Sequence, residues 1–201
     1  KLEDLRGATV GVKFGGNEEV SYRAMLAASS LDSSQIHEVG VKYDMTPFFE
    51  GQVAVWPGYR INESIAAEER GVKVRLLKPE DVGVNMYADV IVVREDFLNA
   101  NPDLLRRFVQ ATMAGWLSVV DRPERAASYT KAFAEDADSA HEDAMMRASV
   151  PLLKAENAPL GIMKVESWQA LADILRKSGQ LKGELDVKKA FTNDLIGSKL
   201  P

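Results

Sequence analysis

Cysteine is absent from the 201 residues, which excludes disulfides, thiolate metal sites and cysteine nucleophiles together. Histidine is nearly absent. His37 and His141 lie far apart, and neither has a carboxylate at the spacing of a metal site. His37 reads as an ordinary strand-start residue and His141 as a surface helix residue. No excess of basic charge exists either: 25 Lys and Arg against 30 Asp and Glu leave a net charge of −5. A nucleic-acid partner would need a clustered basic face, so none is expected. No apolar run reaches the length of a membrane span, and no low-complexity tract or internal repeat stands out. The sequence holds no G-x-S-x-G elbow, Walker loop or G-x-G-x-x-G. The acidic runs at 135–138 and 66–70 read as solvated faces. No catalytic residue, metal ligand or cofactor is therefore nominated, and the chain reads as non-enzymatic.

What is present is ordinary globular material, 46% apolar, in two contrasting halves. The first half alternates strand-like and helix-like segments. "ATVGVKF" (8–14), "HEVGVKYD" (37–44), "VAVW" (53–56), "VKVRLL" (72–77) and "DVIVV" (89–93) read as strands. Between them, "NEEVSYRAMLAAS" (17–29) has helical spacing with Val20, Met25 and Leu26 inward. "MTPFFEGQ" (45–52) reads as a short helix capped by Thr46 with Pro47 first in the helix. "NESIAAEERG" (62–71) opens on an Asn cap and closes on glycine. This rhythm predicts an α/β, largely parallel sheet. After Arg94 the pattern turns helical: 101–121, 122–135, 139–156 and 165–181 each carry an apolar stripe that needs a surface to cover.

Two stretches could carry function. In "FGGNEEV" (14–20), Asn17 is a good helix cap, and Glu18 and Glu19 sit where the helix dipole favours acids. Plain capping explains them. Equally, Gly15 and Gly16 would let a ligand approach the backbone, with the carboxylates welcoming amines or ring N–H groups and repelling a sulfonate or nitrate. In "KYDMTPFFEGQVAVWPGYRINE" (42–63), Tyr43, Trp56 and Tyr59 fall at or just beyond strand ends, where open α/β sheets bind ligands. Phe48 and Phe49 read as core, whereas Trp56 and Tyr59 read as pocket residues able to stack on a planar ring.

Taken in order, "LRGATVGVKFGGNEEVSYRAMLAASSLD", "VKYDMTPFFEGQVAVWPGYRINE", "ADVIVVREDFLNANPDLLRRFVQATMAGW" and "GIMKVESWQALADILRKSGQL" resemble the solute-binding proteins of ABC importers. The nearest branch is that of thiamine-pyrimidine-precursor and nitrate, sulfonate or taurine binders. The resemblance implies a type II periplasmic-binding-protein-like fold in which two lobes close on a ligand. Residues 1–88 would form a complete α/β ligand-binding lobe, and 89–201 a crossover strand and the helical part of the other lobe. By the same resemblance, the N-terminal segment of that other lobe is expected to be absent from residues 1–201. Carried over by position, Gly15, Gly16, Asn17 and Glu18 would form the ligand loop, with Trp56, Pro57 and Tyr59 in the facing turn and Tyr22 and Tyr43 flanking it; Glu19 and Asn62 beside them are nominated as ligand-binding too. The implied partners are a small-molecule ligand and a membrane permease. The implied location is periplasmic or extracytoplasmic, at the membrane through the transporter.

Helical stripes without a sheet further predict a homodimer. The ligand expected is a small polar heterocycle of the thiamine-precursor kind. A sulfonate or nitrate binder and a ligand-sensing domain of a signalling protein remain alternatives. An effector domain of a transcription regulator would need a basic helix-turn-helix. A pyrimidine-forming enzyme of similar fold would need the cysteines that this sequence lacks.

Overall fold

The computed structural model describes residues 1–29, 31–153 and 159–196. These fall into two compact units. One comprises Lys1–Met86 with Val165–Val187; the other comprises Tyr87–Lys164 with the described part of Lys188–Pro201.

The first unit is organised by strand β1 (Thr9–Val12), paired in parallel with β2 (His37–Gly40) in the register Thr9↔His37 to Val12↔Gly40. Helix α1 (Asn17–Ala28) joins them, a βαβ crossover that a parallel pair requires. On the other side of β1, Val55 forms a single parallel bridge to Val10, and the Gly11 N–H donates to the Val55 carbonyl at 2.9 Å. Gly11 permits this crowding: a Cβ there would lie 3.1 Å from Val41 and 3.2 Å from Pro57. Apolar alternation places Val10 and Val12 in a core with Leu2, Leu5, Met25, Leu26, Leu31 and Ile36. Met25 and Leu26 are buried as expected of their helical spacing, while Val20 is half-buried. Short helices α2 (Thr46–Phe49) and α3 (Glu63–Glu69) follow.

Several local expectations need correction. The N-cap position of α1 is Gly16, and Asn17 is its first helical residue. The end is instead fastened by Glu19, whose carboxylate reaches back to accept the Gly15 N–H at 2.7 Å. Thr46 does not cap α2. Asp44 accepts from both the Thr46 N–H (3.0 Å) and its hydroxyl (2.7 Å), so Met45 holds the cap position and Thr46 begins the helix. Phe48 and Phe49 are half-buried rather than core; Phe48 leans on Trp56 with ring centroids 6.5 Å apart. The stretches 72–77 and 89–93 form no ladder among the described residues. β-branched composition favours a strand only where a neighbouring strand supplies hydrogen bonds, and Val90, Ile91 and Val92 are exposed. The regular sheet among the described residues is thus two-stranded, smaller than a complete lobe would suggest.

The second unit contains α4 (Glu95–Ala100), α5 (Pro102–Asp121), α6 (Ala126–Lys131) and α7 (Ser139–Leu153). The α5 start matches its sequence signals, with Asn101 at the cap and Pro102 first in the helix. Leu105, Val109, Met113 and Val120 form its buried stripe. Residues 154–156, read as the end of the following helix, lie outside the described residues. His141, expected on the surface, is half-buried in α7. The Asn193 side chain fastens the returning chain, accepting from the Met163 N–H at 3.0 Å and donating to its carbonyl at 2.8 Å. Helix α8 (Val165–Lys177), read from sequence with the helical half, packs against α1 in the first unit.

Candidate functional site

The three parallel segments of the first unit end on the same side, and the turn after each brings a distinct group of side chains. After β1 comes Lys13, then a tight turn closed by the Gly16 N–H donating to the Lys13 carbonyl at 3.0 Å. Gly15 occupies the left-handed region there, φ 81°, which a side chain would strain. After β2 comes Tyr43, 84% exposed. After the Val55 bridge come Trp56, Pro57, Gly58 and Tyr59, leading into α3. Ligands of open α/β sheets gather at this edge, outside the strand C-termini.

Lys13 is the centre of the arrangement and was not singled out from sequence. Although charged, it is only 8% exposed. Its Nζ donates to Glu18 Oε1 at 2.9 Å and to Glu63 Oε1 at 3.2 Å, and lies 5.0 Å from the Tyr43 ring centroid. Burial disfavours the ammonium, but the hydrogen bonds and charges of Glu18 and Glu63 outweigh it and hold Lys13 above the ordinary lysine range. Glu18 is likewise desolvated, yet Lys13 keeps its carboxyl below the ordinary range. Glu63 has a second role: its Oε2 accepts the Tyr59 N–H at 2.8 Å. Gly58 leaves room for it, since a Cβ at that position would fall 2.6 Å from Glu63 Cδ. One ammonium therefore ties the turn after β1 and the first turn of α1 to the turn before α3.

A second polar network lies behind the glycine turn. Arg23 donates to both oxygens of Glu38, at 2.5 and 2.8 Å, and to Glu19 at 3.3 Å, and the Tyr22 hydroxyl donates to Glu38 at 3.0 Å. Arg23, aided by Tyr22 and opposed by burial, holds the Glu38 carboxyl below its ordinary range. Burial and the Glu38 contact push the Tyr22 hydroxyl upward.

The nominated residues are therefore placed as follows. Gly15, Gly16, Glu18, Tyr43 and Tyr59 come together around Lys13, Tyr59 through Glu63, whereas Trp56 leans on Phe48 and Pro57 lies near Gly11. Asn17 is exposed at the start of α1, and Asn62 holds the N-cap position of α3. Glu19 and Tyr22 belong to the Arg23 network, Tyr22 also packing on the core. The Trp56 Nε1–H is buried and meets no acceptor among the described residues. Among those residues no group of histidine and carboxylate side chains could hold a metal ion. The missed members, Lys13, Glu63, Arg23 and Glu38, had one weak signal: a lysine at the end of an apolar strand, shortly before two glycines and two acids.

A parallel βαβ edge that carries glycine, aromatic and paired ionic groups is a place where open α/β sheets take up small molecules. Comparison with known proteins agrees. The family model described as NMT1/THI5 like matches residues 1–126, and the chain belongs to that family, whose fold is α/β and periplasmic-binding-protein-like. The riboflavin-binding protein RibY of Chloroflexus aurantiacus is 30% identical over 97% of this chain and 58% of its own length. The formylaminopyrimidine-binding protein of Halalkalibacterium halodurans is 22% identical over 94% of this chain and 60% of its own. The chain thus spans about three-fifths of the length of these relatives. No helix among the described residues is long and apolar enough to cross a membrane.

Proposed function

We propose that this chain is the ligand-binding part of an importer's solute-binding protein, non-enzymatic and extracytoplasmic, delivering a small planar heterocycle to a membrane permease. The observation that carries this reading is the convergence of the Gly15–Gly16 turn, Tyr43 and the Trp56–Tyr59 turn on Lys13. The names of two relatives, one binding riboflavin and one a formylaminopyrimidine, support a ring as the ligand. Aromatic side chains offer such a ring stacking surface. Charge argues in the same direction. Lys13, the buried ammonium at this edge, is already paired with Glu18 and Glu63, so a sulfonate or nitrate finds its cationic partner taken.

Tryptophan fluorescence tests the reading. Trp56 is one of three tryptophans, so the signal is assigned with Trp56→Phe. Saturable change with riboflavin or a formylated aminomethylpyrimidine, none with taurine, and loss of the signal in the variant are expected. A response to taurine alone, or to none of the three, overturns it.

A further inference from the structure

The amino-bearing ligand expected from sequence would meet Glu18 and Glu19, but both are already engaged by the protein. Glu19 accepts the Gly15 N–H and pairs with Arg23, and Glu18 pairs with Lys13. Lys13 Nζ has two carboxylates at 2.9 and 3.2 Å and an aromatic ring at 5.0 Å. Carboxylates opposite an aromatic ring are what a protein uses to recognise an ammonium group. Here the ammonium belongs to the chain itself.

It is also fixed in place. Lys13 leaves the sheet directly after Val12, whose carbonyl accepts the Val41 N–H at 3.0 Å, and its own carbonyl accepts the Gly16 N–H at 3.0 Å. With the stem held at both sides and the side chain buried, Lys13 cannot leave the two glutamates without abandoning both charges in a poorly solvated spot. Tyr43, by contrast, is largely open to solvent and is free to stack on a ring.

We propose, resting on the site assignment above, that Lys13 is a specificity-determining residue: it occupies the subsite between Glu18 and Glu63 that a ligand cation would take, and so selects uncharged heterocycles over ones bearing an ammonium. Glu18 and Glu63 are then not ligand-binding acids. They are the counter-ions of an internal stand-in for a cationic ligand, and the ligand binds beside this closed ion cluster through its ring.

The test uses two probes that differ in one charge: a formylated aminomethylpyrimidine, which is neutral, and the same compound without its formyl group, whose amine is protonated at neutral pH. Affinities are measured by calorimetry for the unmodified chain, Lys13→Met and Lys13→Arg. The unmodified chain and Lys13→Arg should both prefer the neutral probe. In Lys13→Met the ratio of affinities should move toward the cation by about 10- to 100-fold, the value of one or two charge-assisted hydrogen bonds. Where Lys13→Met fails to fold, Lys13→Met/Glu63→Gln removes one charge of each sign and should still move the ratio by about tenfold. An unchanged ratio in a folded variant overturns the proposal while leaving the site assignment standing, as does a preference of the unmodified chain for the cation. Failure of the unmodified chain to bind either probe overturns the site assignment and this proposal with it.

Discussion

The sheet edge of the first unit and the helical surface of the second meet water in opposite ways. At the edge, a charge is drawn inside and matched: Lys13 is buried between two glutamates, and Arg23 grips Glu38 and Glu19. On the helices, large apolar groups are left outside. Leu104, Phe108 and Trp116 of α5 are about half exposed, and Phe133 after α6 is 95% exposed. Isolated apolar side chains on a surface are unremarkable, but Leu104 and Phe108, one turn apart, are neighbours on one face of α5. The contrast separates two kinds of sequence information. Buried charges specify the geometry of a site, whereas exposed stripes specify only that a surface is there to be covered.

Breaking the matched charge should have the largest effect. Lys13→Met leaves Glu18 and Glu63 facing one another without a counter-ion, at a cost of about 3–5 kcal/mol. Urea unfolding measures it. A loss below about 1 kcal/mol would mean that the cluster is solvated in solution and the pairing weak.

The contrast between buried and exposed faces of α5 comes next. Met113→Ala should cost about 2–4 kcal/mol, because Met113 is buried and its sulfur lies against Gly161. Phe108→Ala, on the opposite face, should change stability by no more than about 0.5 kcal/mol. Should Phe108→Ala prove as damaging as Met113→Ala, and the difference grow with protein concentration, a second copy covers that face in solution. Sedimentation of the two variants would report it directly.

Gly15→Ala sharpens the comparison at the turn. Its φ of 81° is left-handed, and nothing stands near an added Cβ, so the cost is purely conformational, about 1–2 kcal/mol. A neutral outcome would show that the Lys13–Gly16 turn relaxes freely and does not hold the site rigid.

These residues also show what a sequence makes legible. The β1–turn–α1 unit was readable because its signals are local: alternation, two glycines, acids in a first turn. The burial of Met25 and Leu26 followed from helical spacing alone. Lys13 was missed because its second partner, Glu63, is 50 residues away, and no periodicity links a strand-end lysine to a later helix. For the same reason Glu18 looked available to a ligand when its partner was five residues back. The segments at 72–77 and 89–93 failed differently. Their composition suits a strand, but a strand is a relation between two segments, and the described residues supply no partner. Caps were misassigned by one residue at both Asn17 and Thr46, since Glu19 and Asp44 fasten the backbone N–H groups of Gly15 and Thr46 and each helix boundary falls one residue away from the expected cap.

The smallest effect expected is at acid pH, and it probes the network behind the glycine turn. Arg23 and Tyr22 hold Glu38 below its ordinary value of 4.5 in the folded chain. A carboxyl with a depressed folded pKa contributes stability that is complete above the unfolded value and lost as pH falls through the folded one. Glu38→Gln removes that contribution, about 1 kcal/mol for a partly exposed pair. The variant should therefore be less stable than the unmodified chain at pH 7, and the two should converge as pH falls below 4.5. Lys13 sets the opposite limb: its raised folded pKa means that its share is present below the ordinary lysine value of 10.5 and lost only as pH rises beyond it. Urea midpoints across pH separate the two. If Glu38→Gln keeps its full deficit at pH 3, the loss is one of packing rather than of ionic contact, and Arg23 then steadies the turn as a space-filling side chain rather than as a charge.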